Sequence, residues 1–305
     1  TIRIIPFSVI TIVSESLRGL KKIGWSQMTE NIWTPAFTLL LLIMIPYYHT
    51  LEGIVLIWNT VSIIVMIIAL FTWIRTTTRF AHIKTHYSFR FLIHSGYPLF
   101  LVMILNMIIC WSSTIFLGIF AENADVGIYN AAARTANLMN FLLVSVNTIA
   151  APKFAELFHI NDMQGLKRSA QDSTRLMFWL SLPVFIIVMI FSKNIMGIFG
   201  DQFITGTAIL MILSTSQFVN VSTGSVGYLL MMSGNEKLLR NNIFGVAIIN
   251  IILSVWLIPK YGMLGAGVVS AISLTLQNVI SLLLVKRKLN FWTIPFFERF
   301  NMVIK

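Results

Sequence analysis

The stretch GIYNAAARTANLMNFLLVSV, beginning at Gly127, has the length and apolarity of a membrane-spanning helix, yet it carries Arg134 together with Asn130, Asn137 and Asn140. A guanidinium near the centre of a bilayer helix costs about 2.5–3.5 kcal/mol on insertion scales, so it needs something to meet. At about 100° per residue, Asn130, Arg134, Asn137, Ser145 and Thr148 fall within an arc of about 80°, one polar stripe on an otherwise apolar helix. Asn140 and Asn147 lie together further round. In lipid such a stripe must turn toward protein or toward water. Asparagines taken singly suit hydrogen bonds between helices. Arg134 fits that role less well, because a guanidinium has five donors and no acid stands in this span to take them. Two readings stay open for it: snorkelling toward the outer interface, or facing a hydrated cavity that holds an anion.

A second stretch, STSQFVNVSTGSVG from Ser214, is unusually polar for a membrane helix. Ser214, Gln217, Asn220, Gly224 and Tyr228 form its stripe. Neutral hydroxyls and amides around a central glycine suit a cavity lining that contacts sugar hydroxyls, a bent helix, or polar packing between helices. Arg3 is a further candidate cation, and it stands at the start of the sequence. Acids within the apolar runs are scarce. Glu15 is the clear case, three residues before Arg18, where a local ion pair is expected.

Other chemistries lack their residues. His82 and His86 in HIKTH have metal-ligand spacing but stand in a basic segment without carboxylate or cysteine, so no metal is expected. No nucleotide-binding motif and no Ser/His/Asp constellation is present, and the outer loops are too short to carry catalysis, so neither an enzyme nor a cofactor is expected. Cys110, the single cysteine, reads as a small apolar filler.

The elements that must hold these residues follow from composition. The 305 residues are 57% hydrophobic and 11% charged, with a mean hydropathy of +0.83. Soluble domains average about a quarter charged residues, so this is an all-α integral membrane protein. About nine spans are expected, at 2–17, 32–48, 52–74, 97–119, 128–150, 176–195, 207–231, 243–258 and 265–285. The loops between them alternate in charge. All but four of the 22 Lys and Arg (Arg3, Arg134, Lys193 and Lys260) fall in one alternate set and the closing tail. The excess marks the cytoplasmic side, which places the C-terminus there. The net charge of +11 is therefore topological, and no nucleic-acid partner is expected.

IPYYHTLEG from Ile45 and IPKYGMLGAG from Ile258 occupy equivalent outer turns, with Pro46 and Pro259, Tyr48 and Tyr261, and Leu51 and Leu264 pairing at one offset. If the first three spans copy the last three, three more should precede Thr1, giving two parallel six-helix lobes, twelve spans in all. The chain then divides into a partial N-terminal lobe (1–74), a cytoplasmic linker (75–96), a C-terminal lobe (97–285) and a cytoplasmic tail (286–305).

Three segments carry a resemblance: WSSTIFLGIFAENADVGIYNAAARTANLMNF from Trp111, APKFAEL from Ala151, and SGNEKLLRNNIFGVAIINIILSVWLIPKYGMLGAGVVSAIS from Ser233. The chain resembles the polysaccharide exporters of the O-antigen flippase type, in the superfamily that includes the multidrug MATE transporters. That resemblance implies the MATE-like two-lobe bundle, with the present spans as the fourth to the twelfth. It implies a monomeric transporter in a bacterial or archaeal cytoplasmic membrane that moves an isoprenoid-diphosphate-linked oligosaccharide outward by alternating access. Arg134 then meets the phosphates, with Arg3 as a second cation, while Asn130, Asn137, Gln217 and Asn220 complete the substrate site. Family members often have an acid within the segment that reads WSSTIFLG here. This chain has Ser113 in its place, which leaves cation coupling through that helix open. A drug or organic-cation antiporter of the same fold is the alternative reading.

Overall fold

The computed structural model describes residues 4–20, 22–44, 51–78 and 89–294, and among them every regular element is helical. The chain divides into two compact units, Thr1–Tyr87 and Ser88–Lys305. Arg3, His82 and His86 lie outside the described residues.

The first unit contains α1 (Ile4–Gly19), the short α2 (Ile23–Gln27), a π-helical turn (Met28–Ile32), α3 (Trp33–Met44) and α4 (Leu51–Thr77). Ile10 on α1 and Ile57, Val61 and Val65 on α4 form its core, with Trp33, Leu41 and Leu42 packed against them. The π turn brings one carboxylate of this unit inward. Glu30 accepts from Arg18 Nη2 at 2.8 Å and from Ser14 Oγ at 3.1 Å, while Arg18 Nη1 pairs with Glu15 at 2.7 Å, as expected from the spacing.

The second unit contains α5 (Phe89–Phe120), α6 (Asn123–Ala136), α7 (Leu138–His159), α8 (Met163–Gly197), a 3-10 turn (Asp201–Gly206), α9 (Thr207–Thr223), α10 (Val226–Met232) and α11 (Glu236–Leu289). Packing follows the rule for helices in lipid, where small residues let backbones approach. The buried face of α6 is Ile128, Tyr129, Ala132 and Ala136, set against Ile209, Leu210 and Leu213 of α9. The outer faces stay apolar. On α5, Phe100, Met103, Met107, Trp111, Ile115 and Ile119 recur at helical spacing and are all exposed. Many serine and threonine hydroxyls along the helices return to carbonyls one turn earlier, as Thr135 does to Ala131 at 2.8 Å.

Six helical stretches are long and apolar enough to cross a membrane among the described residues: Gly53–Thr77, Gly96–Phe120, Asn123–His159, Met163–Gly197, Asp201–Thr223 and Glu236–Leu289. The difference from the expected nine has identifiable sources. The expected spans 2–17 and 32–48 run into residues outside the described set, leaving α1 with 16 residues and α3 with 12. The expected spans 243–258 and 265–285 are the two arms of α11, counted there as one stretch although the chain breaks at Gly262 (φ 53°, ψ −131°) and the arms pack antiparallel, Asn242 bonding Ser281 and Asn250 bonding Ser273. Conversely, the expected span 128–150 sits within a longer unit, α6 and α7, that turns at Asn137.

α8 begins at Asp162, whose side chain accepts from the Gly165 N–H at 2.8 Å and satisfies one of the free donors at a helix start. α11 ends at Asn290 in the left-handed conformation (φ 61°), with Lys286, Arg287 and Lys288 in its last turn, where cations complement the helix dipole. Within the stretch 286–305, the described residues do not trail away: Phe291 is buried and Thr293 has no exposed surface.

Candidate functional site

The two polar stripes meet in the second unit. Asn137 stands at the junction of α6 and α7, where its N–H donates to Ala133 O at 3.0 Å and its carbonyl accepts from the Asn140 N–H at 3.0 Å. The 3-10-like tightening (ψ −13°) makes this a local bend. From α9, Gln217 donates through Nε2 to Asn137 Oδ1, and Asn220 Nδ2 donates to Gln217 Oε1 at 3.2 Å. Three of the residues chosen from the sequence thus form one amide chain across two helices.

Asn130, two turns before Asn137, donates to Val126 O at 2.9 Å and accepts from Thr114 Oγ1 of α5 at 3.5 Å. The same stripe is therefore flanked by a polar group of α5 on one side and of α9 on the other. Arg134 projects from it between Asn130 and Asn137 in sequence. It is exposed, and among the described residues it has neither a carboxylate nor any other hydrogen-bond partner. Leu138 and Phe141, both exposed, continue that face toward α7 with apolar groups. Ser145 and Thr148, further along, bond their own helix at Phe141 O (2.8 Å) and Val144 O (2.9 Å).

The second stripe is interrupted where its glycine stands. Gly224 adopts φ 80° and ψ −159°, a conformation that is essentially glycine-only, and it separates α9 from α10. A Cβ there would lie 2.0 Å from Thr174 Oγ1 of α8, so the backbone passes close as well as turning. Ser214 is fully buried and its hydroxyl has no partner among the described residues.

A separate buried polar seam joins α5, α6 and α11. Ser113, the residue standing where an acid is expected, shares a hydrogen bond with Ser270 at 2.8 Å, and Ser270 also bonds the Tyr129 hydroxyl at 2.8 Å. Ser112 donates to Asn250 Oδ1, whose amide donates to Ser273 at 2.9 Å. Hydroxyls and an amide satisfy one another here, which is helix–helix adhesion in lipid without charge.

Sequence reasoning missed three polar residues that the fold uses. Glu30 precedes its expected span and enters the membrane unit through the π turn, where it also lines a cavity of about 180 Å³ with Phe7, Ile10, Thr34, Pro35, Trp58 and Ser62. Tyr129 is next to the polar stripe in sequence, but its hydroxyl points into the seam. Thr293 gave no periodic signal at all. No cluster of three metal-ligating side chains occurs among the described residues.

A family of polysaccharide biosynthesis proteins matches residues 7–158, and MatE matches residues 98–256, more than half of the chain. The chain belongs to the MatE family. One relative of this MatE chain is a probable low-salt glycan biosynthesis flippase of Haloferax volcanii, 26% identical over 171 residues. That match covers 56% of this chain and 36% of the relative, so the chain spans little more than a third of that protein. Among solved structures, a MATE protein in the bent conformation superposes with TM-score 0.77 at 12% identity, covering 92% of this chain and 65% of the other. The lipid II flippase MurJ, in an inward closed conformation, gives 0.59 at 19% identity, covering 87% and 59%. These likenesses show a MATE-like helical fold and, with the apolar helices, a multi-pass membrane protein.

Proposed function

We propose that this MatE chain is part of a flippase that moves an isoprenoid-diphosphate-linked oligosaccharide across the cytoplasmic membrane by alternating access. The observation that carries the reading is Arg134: a guanidinium on a membrane helix, exposed, without a carboxylate among the described residues, and flanked on its stripe by amides. A face left to lipid would be apolar. Polar groups from α5, α6 and α9 along one stripe favour water instead, and an aqueous guanidinium in a membrane is an anion site. A diphosphate cannot cross hydrocarbon unaided. The planar fork of Arg134 replaces part of its hydration with charge-assisted hydrogen bonds. The amide chain Asn137–Gln217–Asn220 offers donors and acceptors suited to sugar hydroxyls, with Asn130 beside it. The exposed Leu138 and Phe141 suit the start of a prenyl tail, which needs no polar site. The relative named as a glycan biosynthesis flippase, and the polysaccharide biosynthesis match, support the substrate class.

The same reading makes the first unit part of an N-terminal lobe and the second a complete C-terminal lobe. It makes the nine expected spans the last nine of twelve, the transporter monomeric, and the Lys- and Arg-rich loops and the C-terminus cytoplasmic. Arg3, if it joins the site, is a second cation for the phosphates. Replacing Arg134 by alanine in the full-length protein is expected to stop delivery of the glycan to the outer surface while leaving the protein in the membrane. Arg134→Lys keeps the charge without the fork and should retain partial delivery. Normal delivery by Arg134→Ala would rule the site out.

The alternative, an organic-cation antiporter, draws on the MatE match itself. A cation site wants carboxylates, whereas the described stripe offers a cation and neutral amides. Dye efflux by cells expressing the full-length gene separates the two.

A further inference from the structure

The bend between α9 and α10 leaves a carbonyl without its helical partner, and the residue that takes it comes from the far end of the chain. In an uninterrupted helix the Thr223 carbonyl accepts from the N–H four residues on. The conformation of Gly224 removes that option. A buried carbonyl left without a donor is costly, so a break survives only where something else donates. Here Thr293 does, through Oγ1 at 2.7 Å, from a fully buried position.

Thr293 reaches this point because the chain turns inward after α11. Asn290 ends the helix in the left-handed conformation, and Phe291 then enters the core beside Val226, Leu229 and Leu230 of α10 and Phe154 of α7. Gln171 of α8 donates through Nε2 to the Trp292 carbonyl at 3.0 Å, and Lys286 Nζ lies 5.8 Å from the centre of the Trp292 ring. The short strap Phe291–Ile294 therefore serves both sides of the bend: Phe291 joins the hydrophobic cluster that holds α10, and Thr293 holds the last carbonyl of α9.

That carbonyl belongs to the turn that carries the amide chain. Thr223 Oγ1 donates back to Asn220 O at 2.8 Å, Asn220 donates to Gln217, and Gln217 donates to Asn137. We infer that Thr293 is a positioning residue: through the Thr223 carbonyl, the C-terminal strap sets where Asn220 and Gln217 stand relative to Asn137. Its functional meaning rests on the reading of those amides as a glycan contact, whereas its geometry does not.

The test uses the full-length protein in membranes, in a cysteine-free background carrying Asn137→Cys and Gln217→Cys, and measures the rate of oxidative cross-linking between them. With the strap intact the pair should join readily. Thr293→Val should slow cross-linking about tenfold, the scale of one lost hydrogen bond that also leaves its acceptor unpaired, and Thr293→Ser should restore it. Gln171→Leu, which removes a second polar anchor of the strap, should slow it by a smaller factor. Thermal unfolding measured alongside identifies a variant that fails to fold. If Thr293→Val does so, Gln171→Leu decides. Unchanged cross-linking in the folded variants overturns the proposal. Slowed cross-linking with undiminished glycan delivery by Thr293→Val, in a protein with both amides restored, keeps the strap and rejects the role of the amides.

Discussion

At the scale of single residues, a guanidinium on a membrane helix needs water, an anion or an acid, and Arg134 has no acid among the described residues. Its neighbours divide the labour. Gln217 spends both ends of its amide in bridging Asn220 to Asn137, so it fixes a surface more than it reaches for one. Gln217→Leu should therefore raise the substrate concentration for half-maximal flipping about tenfold and change the maximal rate little, in proteoliposomes of the full-length protein. Arg134→Ala should instead remove flipping at any concentration. That Arg134 and Asn137 share one polar stripe, and Gln217 and Asn220 another, was legible in the sequence because a stripe at helical period is a local property. That Gln217 reaches Asn137 was not, since it depends on how α9 packs against α6, and no periodicity encodes a packing angle. Ser145 and Thr148 share the stripe but bond their own helix, a choice that hydroxyls always have in lipid and that the spacing cannot exclude.

At the scale of elements, what positions the candidate site is interruption of helices. Asn137 bends the first stripe and Gly224 breaks the second. A bent helix was one of the readings that Gly224 left open within the expected span 207–231; Asn137 offered no such sign, because asparagine is compatible with a continuous helix. Two glycines with unusual backbone give contrasting expectations. Gly224→Ala adds backbone strain of about 1–3 kcal/mol to a steric conflict, since a Cβ would stand 2.0 Å from Thr174 Oγ1. At Gly262 (φ 53°) a Cβ has nothing within 4 Å, so Gly262→Ala costs strain alone. Thermal unfolding in detergent should rank Gly224→Ala as the more damaging, and equal losses would argue against close packing of α8 on the bend. Thr293 illustrates the other limit of legibility. A strap four residues long has no period, and its role exists only because the chain after α11 folds back onto α9.

At the scale of the whole molecule, composition alone identified the class: a chain 57% hydrophobic cannot hide its apolar surface from water. Hydropathy divides α11 into two spans, and the structure agrees: the chain breaks at Gly262, and Asn242 bonds Ser281 while Asn250 bonds Ser273, so two helices lie antiparallel on either side of it. Orientation is a separate quantity, set by the Lys and Arg of the loops. A membrane-impermeant thiol reagent applied outside intact cells should label Asp201→Cys and spare Lys167→Cys, and the reverse pattern would invert the topology. The central claim, that Arg134 meets a diphosphate headgroup, is tested most directly by binding. An isoprenyl-diphosphate oligosaccharide should bind the purified full-length protein in lipid nanodiscs about 10- to 100-fold more weakly when Arg134 is alanine, the scale of charge-assisted hydrogen bonds. Equal binding by the wild type and Arg134→Ala would contradict it.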